Sequence, residues 1–189
     1  MADWAAWRTR DLTPTNIPSV DSSWAKTLIG ITGRQFEIKS GGAKKILEFI
    51  EKEVIPFVES NYRVSKTDRG LGGYSYGGLF SLYTLFSQPE LFSIYYAGSP
   101  SISYDKGSLF NLEKDYSNLH INLKAKLFMS AGEKEDSTMI NNMEKMADIL
   151  ESRKYPGLSV TTFVFQNETH QSCMPASIMR ALRVLYDKP

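Results

Sequence analysis

A lone serine, Ser75, stands between Gly73 and Gly77 in the stretch Leu71 to Phe80, LGGYSYGGLF. A serine hydroxyl does acyl chemistry when a base lies beside it and a carboxylate orients that base. The chain has only two histidines. His120 lies in a polar connector, Ser117 to Asn122, and reads as a solvated loop residue. His170 follows Val160 to Phe165, the best strand pattern in the chain, in a loop before the last helix, where a base belongs. Between Ser75 and His170, the strand-like run Lys126 to Gly132 empties into Glu133, Glu135 and Asp136. The order is nucleophile, acid, base, that of hydrolases built on a strand, a sharp turn and a helix.

The elements that must position these groups are legible around Ser75. Arg69 to Tyr74 is short and closed by Thr67 and Asp68, as a buried strand is, whereas Leu79 to Phe86 is apolar nearly all round, as in a buried helix. A strand that turns into a helix at Ser75 holds its hydroxyl out of the fold. The turn is expected to require glycine at both Gly73 and Gly77, where strand and helix cross closely. It also aims the first helical amides at the hydroxyl, so that the Tyr76 N–H becomes an oxyanion donor.

Several segments together resemble one family: Arg69 to Phe80 (RGLGGYSYGGLF), Gln88 to Phe92 (QPELF), Ala97 to Ser101 (AGSPS), Ser130 to Glu135 (SAGEKE) and Glu168 to His170 (ETH). They look like the putative esterase family of α/β-hydrolases, in its enterochelin (siderophore) esterase-like branch. The resemblance runs in continuous order from about residue 41 to 187, and Arg8 to Pro14 (RTRDLTP) looks like a segment the family carries further upstream. It implies Ser75 as nucleophile and His170 as general base. The family's glycine followed three residues later by an acid falls on Glu135, with Asp136 as the alternative and Glu133 or Asp105 as outsiders. The bland role for these acids is a solvated loop whose last members cap a helix starting near Ser137.

Composition excludes several other classes. At 189 residues, 42% hydrophobic and 23% charged, the chain reads as one soluble globular domain. A net charge of +1 without long charged runs offers nothing to nucleic acid or an anionic membrane, which leaves a small molecule as the natural partner. Cys173, the single cysteine, precludes an internal disulfide and a cysteine-based metal site. No signal-like or spanning run is present, which places the chain in the cytoplasm. No cofactor or metal is called for.

Residues 1–41 mix Trp4, Trp7 and Trp24 with prolines and glycines and read as long loop, the tryptophans plugging a core edge or, less favoured, lining a pocket. An amphipathic helix is predicted over 42–62, disturbed at Pro56. Strands near 69–74, 93–97, 126–131 and 158–165 alternate with helices, which predicts a parallel sheet with helices on both faces, part of an α/β-hydrolase three-layer sandwich. The resemblance implies about four further strands before the elbow, and a loop among them that supplies a second oxyanion amide. Without these, the elbow strand is expected at an exposed sheet edge, to be covered by residues 1–41 or by a second copy in a homodimer. The leading expectation is therefore a serine esterase acting through an acyl-enzyme on siderophore-like esters. The alternative is a catalytically impaired hydrolase that serves as a binding or assembly module.

Overall fold

The computed structural model describes residues 2–187, with side chains from residue 4 onward. The chain divides into two compact units, Met1–Val64 and Ser65–Pro189.

The first unit is helical. Helices α1 (Ala2–Leu12) and α2 (Pro18–Thr32) occupy the stretch expected to be irregular, which corrects that expectation. Two of the residues read as loop signals are helix punctuation. Pro18 opens α2, where its fixed φ and missing N–H do no harm, and Gly33 closes it at φ 68°, its N–H donating to the Ile29 carbonyl. A small core of Ala6, Leu28 and Ile38 joins the two helices to the segment that follows. The tryptophans do not plug it: Trp4 and Trp7 are exposed, 63% and 58% of their surface remaining accessible. The predicted helix over 42–62 is α3 (Ala43–Phe49), a π-helical turn (Ile50–Val54) and α4 (Ile55–Asn61). Pro56 lies in the first turn of α4, and the widened turn before it accommodates the missing donor and the ring.

The second unit carries the sheet. Strands β1 (Gly70–Tyr74), β2 (Ile94–Gly98), β3 (Ala125–Gly132) and β4 (Leu158–Phe165) are all parallel and lie in that order. They alternate with α5 (Tyr76–Ser87), α6 (Ser108–Leu119), α7 (Ser137–Arg153) and α8 (Cys173–Tyr186), as an α/β-hydrolase fold requires. The central strands are buried on both faces, Tyr95, Phe128 and Met129 completely. Helix α5 lies against β1 and β2 and buries Leu79, Phe80, Leu82, Leu85 and Phe86. Helix α8 covers the other face with one stripe, Ala181 and Leu185 packing on Ile94, Tyr96 and Phe128. Among the described residues β1 pairs with β2 alone and is an edge strand, and residues 1–41 add no strand to it. No helix of the described residues is long and apolar enough to cross a membrane.

The register decides which loops meet. Tyr74 is level with Gly98, and Gly98 with Ser130. The ladder continues past the strands, Ser75 N–H donating to the Gly98 carbonyl (2.8 Å) and Ser99 N–H to the Ser130 carbonyl (2.6 Å). The carboxyl ends of β1, β2 and β3 therefore open side by side, the place where parallel α/β sheets put their sites.

Candidate active site

Ser75 sits between β1 and α5 at φ 60° and ψ −115°, a backbone conformation that non-glycine residues avoid. Close packing imposes it. A Cβ on Gly73 would lie 2.2 Å from the carbonyl carbon and oxygen of Gly77, so strand and helix cross where only glycine fits. The expectation for Gly77 fails, because a Cβ there would meet nothing within 4 Å. The second close approach is one residue later: a Cβ on Gly78 would come within 2.8 Å of the Gly98 carbonyl oxygen. The first helical bond of α5 runs from Leu79 N–H to the Ser75 carbonyl (2.9 Å). Tyr76 thus opens the helix, where backbone amides point along the axis toward the serine.

His170 is brought to this turn by two loops that zip together. Lys134 N–H donates to the Glu168 carbonyl (2.9 Å), and Asn167 N–H donates to Glu133 Oε2 (2.7 Å). His170 then lies with Nδ1 2.7 Å from Oε2 of Glu135, whose side chain is only 1% exposed. Burial pushes the Glu135 carboxyl up, but hydrogen bonds from His170, the Ser99 hydroxyl and the Gly132 N–H outweigh it and leave the group below its ordinary range. The ring of Tyr74, the residue before Ser75, lies 5.0 Å from the His170 ring, and its hydroxyl donates to the His170 carbonyl (2.7 Å). Tyr74 thus ties His170 to the residue before Ser75, and among the described residues no hydrogen bond joins the Ser75 and His170 side chains. Ser75 Oγ lies 3.5 Å from the hydroxyl of Ser101, in the loop after β2.

The other candidates fall outside this cluster. Asp136 is exposed and caps α7, accepting from Thr138 N–H at 2.7 Å. Glu133 is exposed and holds the Asn167 amide. Asp105 lies in a tight turn at φ 50°. His120 ends α6 and stacks on Tyr116 with ring centroids 4.2 Å apart. Sequence reasoning missed Tyr74, Ser99 and Ser101. The run Ala97 to Ser101 had carried part of the family resemblance without a role, and that was the available signal. A cavity of about 310 Å³ runs along β1 under Ile178 and Leu182; its lining includes Tyr74 but none of Ser75, Glu135 and His170.

The sequence profile of the Putative esterase family matches residues 18–172. The chain belongs to this family. Among the relatives of this esterase-family chain, the ferri-bacillibactin esterase BesA of Bacillus subtilis is 32% identical over 156 residues, which cover 80% of this chain and 54% of BesA. An apo-salmochelin esterase of Escherichia coli is 28% identical over 152 residues, covering 78% of this chain and 48% of that protein. Among solved structures, the BES protein from Bacillus cereus superposes with a TM-score of 0.80 at 25% identity, over 97% of this chain and 66% of that one. The esterase-family chain spans about half the length of the curated relatives it matches.

Proposed function

We propose that the chain hydrolyses carboxylic esters through an acyl-enzyme, with Ser75 as nucleophile, His170 as general base and Glu135 as the acid that orients it. The observation that carries this reading is the 2.7 Å contact between His170 Nδ1 and the buried Glu135; a serine in a strained strand-to-helix turn, preceded by Tyr74 whose hydroxyl holds the His170 carbonyl, supports it. With Nδ1–H donated to Glu135, His170 Nε2 is left as the basic nitrogen. The Ser75 hydroxyl rotates away from Ser101 and gives its proton to Nε2 as Oγ attacks the ester carbonyl. The oxyanion that forms is stabilised by the Tyr76 amide at the start of α5. Collapse breaks the ester C–O bond, and the leaving alcohol takes the proton from His170. Water then attacks the acyl-enzyme by the same route in reverse, which frees Ser75.

Esters of siderophores are the substrate class this reading favours, because matched relatives are named for ferri-bacillibactin and salmochelin. Labelling by a fluorophosphonate, followed by mass spectrometry, tests the nucleophile. Modification confined to Ser75, together with hydrolysis of ferri-bacillibactin that Ser75→Ala abolishes, is the expected result. Undiminished hydrolysis by Ser75→Ala would overturn it. On the same reading the outer edge of β1 is open to pairing with a second copy, which light scattering would report as a dimer.

A further inference from the structure

Glu135 uses its two oxygens differently. Oε2 faces His170, while Oε1 accepts from the Ser99 hydroxyl at 2.6 Å and from the Gly132 N–H at 2.7 Å. A carboxylate bonded only to a histidine is free to rotate about its terminal torsion. Two donors on the other oxygen remove that freedom, and burial excludes water that would compete for it. Gly132 belongs to the end of β3, so its donor is fixed by the sheet. Among the described residues, Ser99 is the only side chain that joins it on Oε1.

Ser99 itself is fully buried and held at φ 38°, in the left-handed region that favours glycine. A serine kept there retains a hydroxyl at a backbone cost. Its oxygen also lies 2.7 Å from the Tyr74 hydroxyl, which in turn lies 2.7 Å from the His170 carbonyl. Two hydroxyl protons serve these three short contacts. The Tyr74 proton goes to the His170 carbonyl, and the Ser99 proton, within reach of both Glu135 Oε1 and the Tyr74 oxygen, favours the charged acceptor. Ser99 and Tyr74 therefore connect both members of the pair, Glu135 through its carboxylate and His170 through its backbone.

We propose that Ser99 is a positioning residue for the esterolytic site: its hydroxyl locks the Glu135 carboxylate so that Oε2 stays on His170 Nδ1, with Tyr74 tying the lock to the His170 backbone. The inference rests on the triad reading above and adds to it a residue whose hydroxyl bonds Glu135 and Tyr74.

The test uses the whole chain as wild type, Ser99→Ala, Ser99→Gly, Glu135→Gln and Ser99→Ala with Glu135→Gln, with Ser75→Ala as blank. Hydrolysis of a chromogenic aryl ester and the rate of fluorophosphonate labelling are both read. Loss of the Ser99 hydroxyl is expected to lower kcat and the labelling rate about tenfold, with KM within about twofold, as for one charge-assisted hydrogen bond lost at a distance from substrate. In the Glu135→Gln background the same loss should change either rate less than about twofold, because Ser99 acts through Glu135. Ser99→Gly keeps the test alive should the alanine variant fail to fold, since glycine suits φ 38°. The low-field proton signal of His170 Nδ1–H should shift or vanish in both Ser99 variants. Wild-type rates with an unshifted signal, or an equal rate loss in both backgrounds, would overturn the proposal. Undiminished turnover by Ser75→Ala would instead overturn the triad reading, whatever Ser99 does.

Discussion

At the carboxyl end of β1, repulsion between backbones holds Ser75; at the carboxyl end of β3, attraction between hydrogen-bonding groups holds Glu135. The first turn is narrow: Gly73 lies against Gly77, Gly78 lies against Gly98, and the serine between them sits at φ 60° with few alternatives. The second loop carries three acids within four residues, and each takes a different partner: Glu133 the Asn167 amide, Glu135 His170, Asp136 its own helix start. Sterics tolerate no change in volume but are indifferent to charge. Hydrogen bonds tolerate changes in volume but fail when a donor or a charge is removed. The two halves of the site should therefore break in different ways.

The largest effect is expected from the acids. Glu135→Gln should lower kcat by roughly a hundred- to ten-thousandfold, while Glu133→Gln and Asp136→Asn stay within about threefold, as steady-state kinetics would show. A comparable loss at Asp136 would mean that the loop rearranges in solution. Next comes the turn itself. Gly73→Ala should cost about 3 kcal/mol or more in urea unfolding, because the neighbour of the new Cβ is backbone that cannot move aside. Gly77→Ala should be neutral or stabilising by up to about 1 kcal/mol, since the site is open and glycine is a poor helix former.

A pH series sharpens the contrast. The Glu135 carboxyl is held below its ordinary range in the folded chain, so its charge contributes stability above the unfolded value of about 4.3. That contribution is lost as the pH falls through the lower folded value. Thermal unfolding should show wild type more stable than Glu135→Gln at pH 7, with the gap closing on acidification below about pH 4. An unchanged gap would mean that the carboxylate is not what holds the loop. At the serine, stability and turnover should part. Ser75→Gly should raise stability by about 1 kcal/mol while abolishing turnover, because glycine adopts φ 60° without strain.

The strands were legible because their apolar runs are short and bounded: 69–74, 93–97, 126–131 and 158–165 became Gly70–Tyr74, Ile94–Gly98, Ala125–Gly132 and Leu158–Phe165. Residues 1–41 were misread because proline and glycine punctuate helices as well as loops, and α1 and α2 expose Trp4 and Trp7 and bury few large side chains to mark a periodicity. Gly77 was misread because a motif records which residues recur, whereas a clash depends on where the Cβ would point.

What the sequence determined by itself was local: a serine flanked by glycines at a strand-to-helix junction, a histidine after the last strand, and an acid somewhere after the third. Backbone preference and hydrophobic period act over a few residues, so they can be read from a few residues. The resemblance pointed first to Glu135, but only tertiary structure brings an acid to His170: Glu133 and Glu135 reach groups of the loop after β4, while Asp136 caps the start of its own helix. Tertiary structure also decided that Ser99 and Tyr74, 25 residues apart, would close over the same carboxylate and histidine. A hydrogen bond needs about 3 Å and a direction, and chain-distant groups acquire both only when the sheet is assembled.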